Sequence, residues 1–120
     1  MAENILEKII EKKISKVNIL KKDITIESLK EKINENNSFI NFKEKIENNI
    51  KSNKISIIAE IKKASPSAGV IIKNYDPLKI AEIYKSNKAT CLSVLTEEDF
   101  FFGNLSHISE IKKKINLPIL

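Results

Sequence analysis

From residue 55 to residue 120 the chain runs strand, loop, helix, strand, loop, helix, strand, and this alternation constrains the fold more than any other feature. Residues 55–61, 90–95 and 117–120 are short, apolar and rich in the residue types of buried strands. Between the first two, Asp76-Pro77 supplies a helix cap followed by proline at the first helical position, where its missing N–H costs nothing. Ile80, Ala81, Ile83 and Tyr84 then form one helical face. Asn104 can cap a second helix bearing Leu105, Ile108, Ile111 and Ile115. Strands joined through helices of this length imply right-handed crossovers and a parallel sheet. Three strands without a following helix leave an edge unpaired, so the expectation is a fragment of a larger sheet.

The residues before this alternation read as helices. Asn4 caps the first, with Glu7 three residues on and Leu6, Ile10, Ile14 and Val17 along one stripe to about residue 20. Thr25 opens a second, carrying Ile26, Leu29 and Ile33 and ending in Asn34-Glu35-Asn36-Asn37. A third runs from Asn41 to Asn49, with Glu44 placed for a capping box and Phe42, Ile46 and Ile50 at four-residue intervals. The stripes are expected to be ordinary core contacts. The boundary falls at residues 50–54, giving an amino-terminal helical extension over residues 1–50 and an incomplete sheet domain over residues 51–120.

Chemistry is concentrated in residues 57–69, where an apolar strand passes into a charged pair and then a breaker-rich loop. With a side-chain repeat of two, Ser56, Ile58, Glu60 and Lys62 share one face, and Ile55, Ile57, Ala59 and Ile61 the other. Glu60 and Lys62 therefore project side by side, roughly 6 to 7 Å apart, where the strand leaves the sheet. A lysine so placed suits an anionic carboxylate or phosphate, although a solvated surface pair has the same spacing. Parallel sheets bind ligands at the carboxyl ends of their strands, which singles out the loops over residues 62–76 and 96–104. The second loop carries Phe100-Phe101-Phe102, which cannot all enter a core, so at least one should lie over a site or beneath a loop.

Composition removes several alternatives. The net charge is +5, but every basic residue is lysine, interspersed with glutamate, without the arginine and aromatic platforms of a nucleic-acid groove. No apolar run approaches a membrane span, and residues 1–4 lack the basic and apolar segments of a secretory signal. The single cysteine, Cys91, reads as a buried structural thiol, consistent with a reducing cytoplasm. His107 reads as solvated or packing. Glu97, Glu98 and Asp99 have no histidine nearby and make a weak metal set; with only Gly69 and Gly103, there is no glycine-rich phosphate loop.

Four motifs in order carry a resemblance: Ile58-Ala59-Glu60-Ile61-Lys62-Lys63-Ala64-Ser65-Pro66-Ser67; Asp76-Pro77 with Ile80-Ala81 and Ile83-Tyr84; Cys91-Leu92-Ser93-Val94-Leu95-Thr96 before Phe101 and Gly103; and Leu117-Pro118-Ile119-Leu120. Together they resemble the indole-3-glycerol-phosphate synthase family, densely from about residue 57 and more loosely over the amino-terminal helices. The resemblance implies an α/β fold: the first three βα segments of a (β/α)8 TIM barrel, preceded by an extra helical segment. It implies a cytoplasmic carboxy-lyase of tryptophan biosynthesis acting on a small phosphorylated, anthranilate-derived substrate. That substrate, 1-(2-carboxyphenylamino)-1-deoxyribulose 5-phosphate, is converted to indole-3-glycerol phosphate with loss of carbon dioxide and water.

By the same resemblance Glu60 and Lys62 are catalytic positions, and Lys62, Ser65 and Phe101 contact substrate. The family's principal general acid is another lysine just beyond Leu117-Pro118-Ile119-Leu120, so the residues present are expected to be inactive alone. No metal or organic cofactor is implied, neither nucleic acid nor membrane is implied as a partner, and oligomeric state is left open. Two positions depart from the family pattern. Lys88 stands where glycine is common after a helix, at a cost of about 1 kcal/mol unless Asn87 takes the left-handed conformation. Ala68 stands where lysine is frequent. Two rival expectations are another sugar-phosphate barrel enzyme and a non-catalytic interaction module pairing through an open sheet edge.

Overall fold

The computed structural model describes residues 4–36 and 38–120. Asn37, the last residue of the polar cluster expected to end the second helix, and residues 1–3 of the amino terminus lie outside the described residues. The architecture mixes helices and strands, and contacts group the chain into two compact units, Met1–Phe39 and Ile40–Leu120.

The first unit contains α1 (Ile5–Asp23) and α2 (Ile26–Glu35). Asn4 Oδ1 accepts the N–H of Leu6 at 3.1 Å, and Thr25 Oγ1 accepts that of Ser28 at 3.1 Å, so each helix starts on a side-chain cap. Lys21 and Lys22 in the last turn of α1 complement its dipole. Contrary to the expected core contacts, neither helix buries a side chain; Leu6, Ile10, Ile14 and Val17 remain exposed. Burial needs an opposing apolar surface, which amphipathic spacing alone does not provide.

The second unit opens with α3 (Phe42–Lys51), capped by Asn41 Oδ1 on the N–H of Glu44 at 3.0 Å. Next come β1 (Ile58–Ile61), β2 (Ala64–Ser65), β3 (Gly69–Val70), α4 (Pro77–Ser86), β4 (Cys91–Val94) and α5 (Ser106–Lys112). β1 and β4 are parallel, with Ile58 opposite Cys91 and Ile61 opposite Val94. On the other side of β4, residues 117–120 run parallel to it: Ile119 bridges Leu92, and Leu92 N donates to Pro118 O, Leu120 N to Leu92 O and Val94 N to Leu120 O, each at 2.9 Å. The sheet thus follows chain order.

β1 is shorter than its apolar run. Residues 55–57 have no strand partner, because β4 begins only at Cys91; Ile57 O takes the N–H groups of both Thr90 and Cys91, and Ile55 is 87% exposed. At this end Asn49 Nδ2 reaches Ser56 Oγ at 3.1 Å and Thr90 Oγ1 at 3.3 Å, and Thr90 Oγ1 also accepts the N–H of Ile57 at 2.9 Å. The buried Thr90 hydroxyl thereby ties α3 to the amino ends of both strands.

Ile61, Leu92 and Val94 from the strands meet Ala81 of α4, Ile111 of α5, and Ile115 and Leu117 in one core, with Ala59 and Tyr84 packed against it. The alternate strand positions, Ile58, Glu60, Cys91 and Ser93, share the opposite face of the sheet. α4 is capped by Asp76 Oδ1 on Lys79 N at 3.0 Å and ends with Ala89 N donating to Tyr84 O and Lys88 N to Lys85 O, both at 3.0 Å. This is a Schellman closure in which Lys88 itself, not Asn87, adopts φ +64°.

Candidate active site

The carboxyl end of β1 presents Glu60 and, one residue past the strand, Lys62. Their charged tips meet, with Nζ 2.7 Å from Oε1, while Lys62 keeps 30% and Glu60 50% of its side-chain exposure. A pair this exposed contributes at most about 1 kcal/mol to stability, so it is available for chemistry without holding the fold together. The backbone beneath it is fixed twice: Tyr84 of α4 donates its hydroxyl to Glu60 O at 2.8 Å, and Leu95 N donates to Ile61 O at 3.1 Å. The acid and base therefore project from a rigid strand end.

The first loop folds back as an antiparallel hairpin, β2 against β3, which its turn-forming residues had not indicated. Ser65 Oγ accepts the N–H of Ala68 at 3.1 Å and lies 3.4 Å from Ser67 Oγ, closing the turn that Gly69 completes at φ +64°. Ile71 N then bonds Lys63 O at 2.8 Å. The Ser65 hydroxyl thus accepts one hydrogen bond within this turn and shares a second with the Ser67 hydroxyl.

The second loop is organised by Glu97. Its Oε1 accepts the N–H of Asp99 at 2.9 Å, and its Oε2 those of Phe100 at 2.7 Å and Phe101 at 3.1 Å. Its carbonyl accepts the N–H of Gly103 at 2.7 Å. The Glu97 side chain is a local anchor for the aromatic run. Phe100 and Phe101 are half-buried, while Phe102 is exposed and left-handed at φ +53°. Gly103 is required here, because a Cβ would lie 2.1 Å from Leu95 O and 2.8 Å from Thr96 Cα. The loop then enters α5 through Asn104, whose Oδ1 accepts the N–H of Ser106 at 2.9 Å.

Cys91 and His107 take packing positions. The Cys91 thiol is fully buried, and burial pushes its pKa up from 9.0 while the nearby charge of Lys45 opposes that rise. The His107 ring meets Tyr75 edge-on at 5.7 Å, and burial likewise raises the Tyr75 phenol above 10.0. Of the four site residues expected from sequence, the fold brings Glu60 and Lys62 into direct contact. Ser65 and Phe101 lie on the two loops leaving the paired strands, and no hydrogen bond or ion pair joins either to the charged pair. Glu97 organises one of the candidate loops and was given no such role from sequence. Its only prior signal was an acid two to four residues ahead of backbone N–H groups in a loop too constrained for helix or strand.

Parallel strands separated by helices, with an ion pair and two ordered loops at the strands' carboxyl ends, define an α/β protein. The chain belongs to the indole-3-glycerol phosphate synthase family, whose sequence profile, described as Indole-3-glycerol phosphate synthase, matches residues 6–120. A protein of that name from Desulforamulus reducens is 44% identical over 116 residues, covering 97% of this chain and 43% of the relative. One from Trichodesmium erythraeum is 37% identical over 118 residues, covering 98% and 39% respectively. One from Campylobacter jejuni is 54% identical over 66 residues, covering 55% and 26%. The chain spans about two-fifths of the length of the first two relatives.

Proposed function

We propose that residues 51–120 form the first three strand segments of a (β/α)8 barrel, preceded by a helical extension over residues 1–50. The barrel carries out the ring closure of an indole-3-glycerol-phosphate synthase. The observation that carries this reading is the Glu60–Lys62 pair, 2.7 Å apart and partly exposed at the carboxyl end of β1 in a chain of that family. The substrate is 1-(2-carboxyphenylamino)-1-deoxyribulose 5-phosphate. Its anthranilate carbon attacks the ketone carbon, forming the C–C bond; the ketone oxygen takes a proton, carbon dioxide leaves, and loss of water completes the indole.

Lys62 holds the anthranilate carboxylate in the orientation from which it departs, because an ammonium fixed at a strand end positions an anion without bulk-water reorganisation. Glu60 aims the ammonium through their ion pair. The Ser65 hydroxyl contacts substrate, and the Phe101 ring covers the aromatic portion; such packing is worth about 0.5 to 1.5 kcal/mol beyond burial. The proton donor to the ketone oxygen comes from the part of the relatives' length that this chain does not span.

The test is a completed barrel, in which this chain is continued by the carboxyl-terminal part of the Desulforamulus reducens relative. Supplied with the carboxyphenylamino substrate, it should release carbon dioxide and form indole-3-glycerol phosphate. A folded protein that leaves this substrate untouched but turns over another sugar phosphate would replace the assignment with the rival barrel-enzyme reading.

A further inference from the structure

The aromatic loop holds an internal conflict whose resolution identifies a further residue. Phe102 sits at φ +53°, a conformation disfavoured for a bulky side chain, directly before a glycine whose position admits no Cβ. A loop bent this way relaxes unless neighbouring bonds over-determine it. Those bonds come from one residue: the Glu97 carboxylate takes three consecutive backbone N–H groups, and the Glu97 backbone carbonyl takes that of Gly103 across the loop. Hydrogen bonds to an ionised acceptor are the stronger kind, and three on one carboxylate leave the run from Asp99 to Phe101 a single arrangement.

We propose that Glu97 is a positioning residue of the site: it touches no substrate and fixes the loop so that Phe101 meets the substrate ring. This rests on the synthase reading, in which Phe101 covers the aromatic portion. The same geometry explains why an acid stands in a loop that would receive a substrate bearing both phosphate and carboxylate. Its charge is met by backbone N–H groups of the same loop.

The test uses the completed barrel and a double-mutant cycle. Glu97→Gln replaces one acceptor oxygen with an amide that opposes the N–H groups, and KM should rise about tenfold with kcat little changed. In a Phe101→Leu background the same substitution should add almost nothing, because its effect passes through Phe101. Glu97→Asp, which keeps the charge on a shorter arm, should recover part of the loss. Independent, additive effects of Glu97→Gln and Phe101→Leu, or an unchanged KM, would overturn the proposal while leaving the synthase reading intact. Amide hydrogen exchange of the same proteins supplies a readout separate from turnover. Protection at Asp99, Phe100 and Phe101 should fall at least about tenfold in Glu97→Gln. Unchanged protection would overturn the lock itself. Loss of protection in a folded barrel that is inactive before any substitution would count against the synthase assignment while sustaining the lock.

Discussion

Replacing Lys88 with glycine should stabilise the protein, although Lys88 is exposed and the replacement removes side-chain atoms. Lys88 closes α4 in the left-handed region, where a Cβ crowds the following carbonyl at a cost of about 1 to 2 kcal/mol. Glycine relieves that crowding but loses about 0.5 to 1 kcal/mol more backbone entropy on folding. The net gain is therefore about 0.5 to 1 kcal/mol. Both closing bonds, Lys88 N to Lys85 O and Ala89 N to Tyr84 O, are backbone bonds and survive the change. For a unit the size of Ile40–Leu120, that gain raises Tm by about 2 to 8 °C. Paired thermal and urea melts of the wild type, Lys88→Gly and Lys88→Ala would measure it. The alanine variant keeps a Cβ and should gain no strain relief, so equal stabilisation by alanine and glycine, or none by glycine, would refute the reasoning.

Two further perturbations probe the interior. Thr90→Val preserves shape but leaves the N–H of Ile57 without its side-chain acceptor and deprives Asn49 of one of its two; chemical denaturation should show a loss of about 1 to 3 kcal/mol, largely restored by Thr90→Ser. Burial raises the pKa of Cys91 above 9.0 and of Tyr75 above 10.0, so the folded state holds these protons more tightly than the unfolded state. Their contribution to stability is complete below pH 9.0 and lost as the pH climbs through each raised value. Urea midpoints should accordingly fall from about pH 9 upward, and Cys91→Ala should flatten the first part of that fall.

Helix starts were the most legible part of the fold, because a cap is a local bargain between one side chain and the next turn. Thr25, Asn41 and Asp76 each accept the backbone N–H three residues on, and Asn4 accepts that of Leu6 rather than that of Glu7. Strand ends were less legible: residues 55–57 have strand composition, but pairing depends on where the partner begins. The two-residue strands β2 and β3 are too short to carry any periodicity, and they arise from a Ser65 turn bond and the left-handed Gly69.

At the site, the strand repeat correctly put Glu60 and Lys62 on one face, and the structure brings their tips together. Glu97 received no role from sequence because its partners are backbone N–H groups of its own loop, which no side-chain pattern announces. At Lys88 the backbone closure of α4, which bonds Ala89 N to Tyr84 O and Lys88 N to Lys85 O, sets the left-handed residue one position past Asn87 despite asparagine's better preference.

The central claim is that the lysine at the end of β1 belongs to the reaction site, and carbon dioxide release by the completed barrel measures it most directly. Lys62→Ala should lower turnover of the carboxyphenylamino substrate by about 100-fold or more, as expected for losing a charged contact to the departing carboxylate, with Tm changed by no more than a few degrees. Near-normal turnover by a folded Lys62→Ala protein would remove Lys62 from the site and contradict the account.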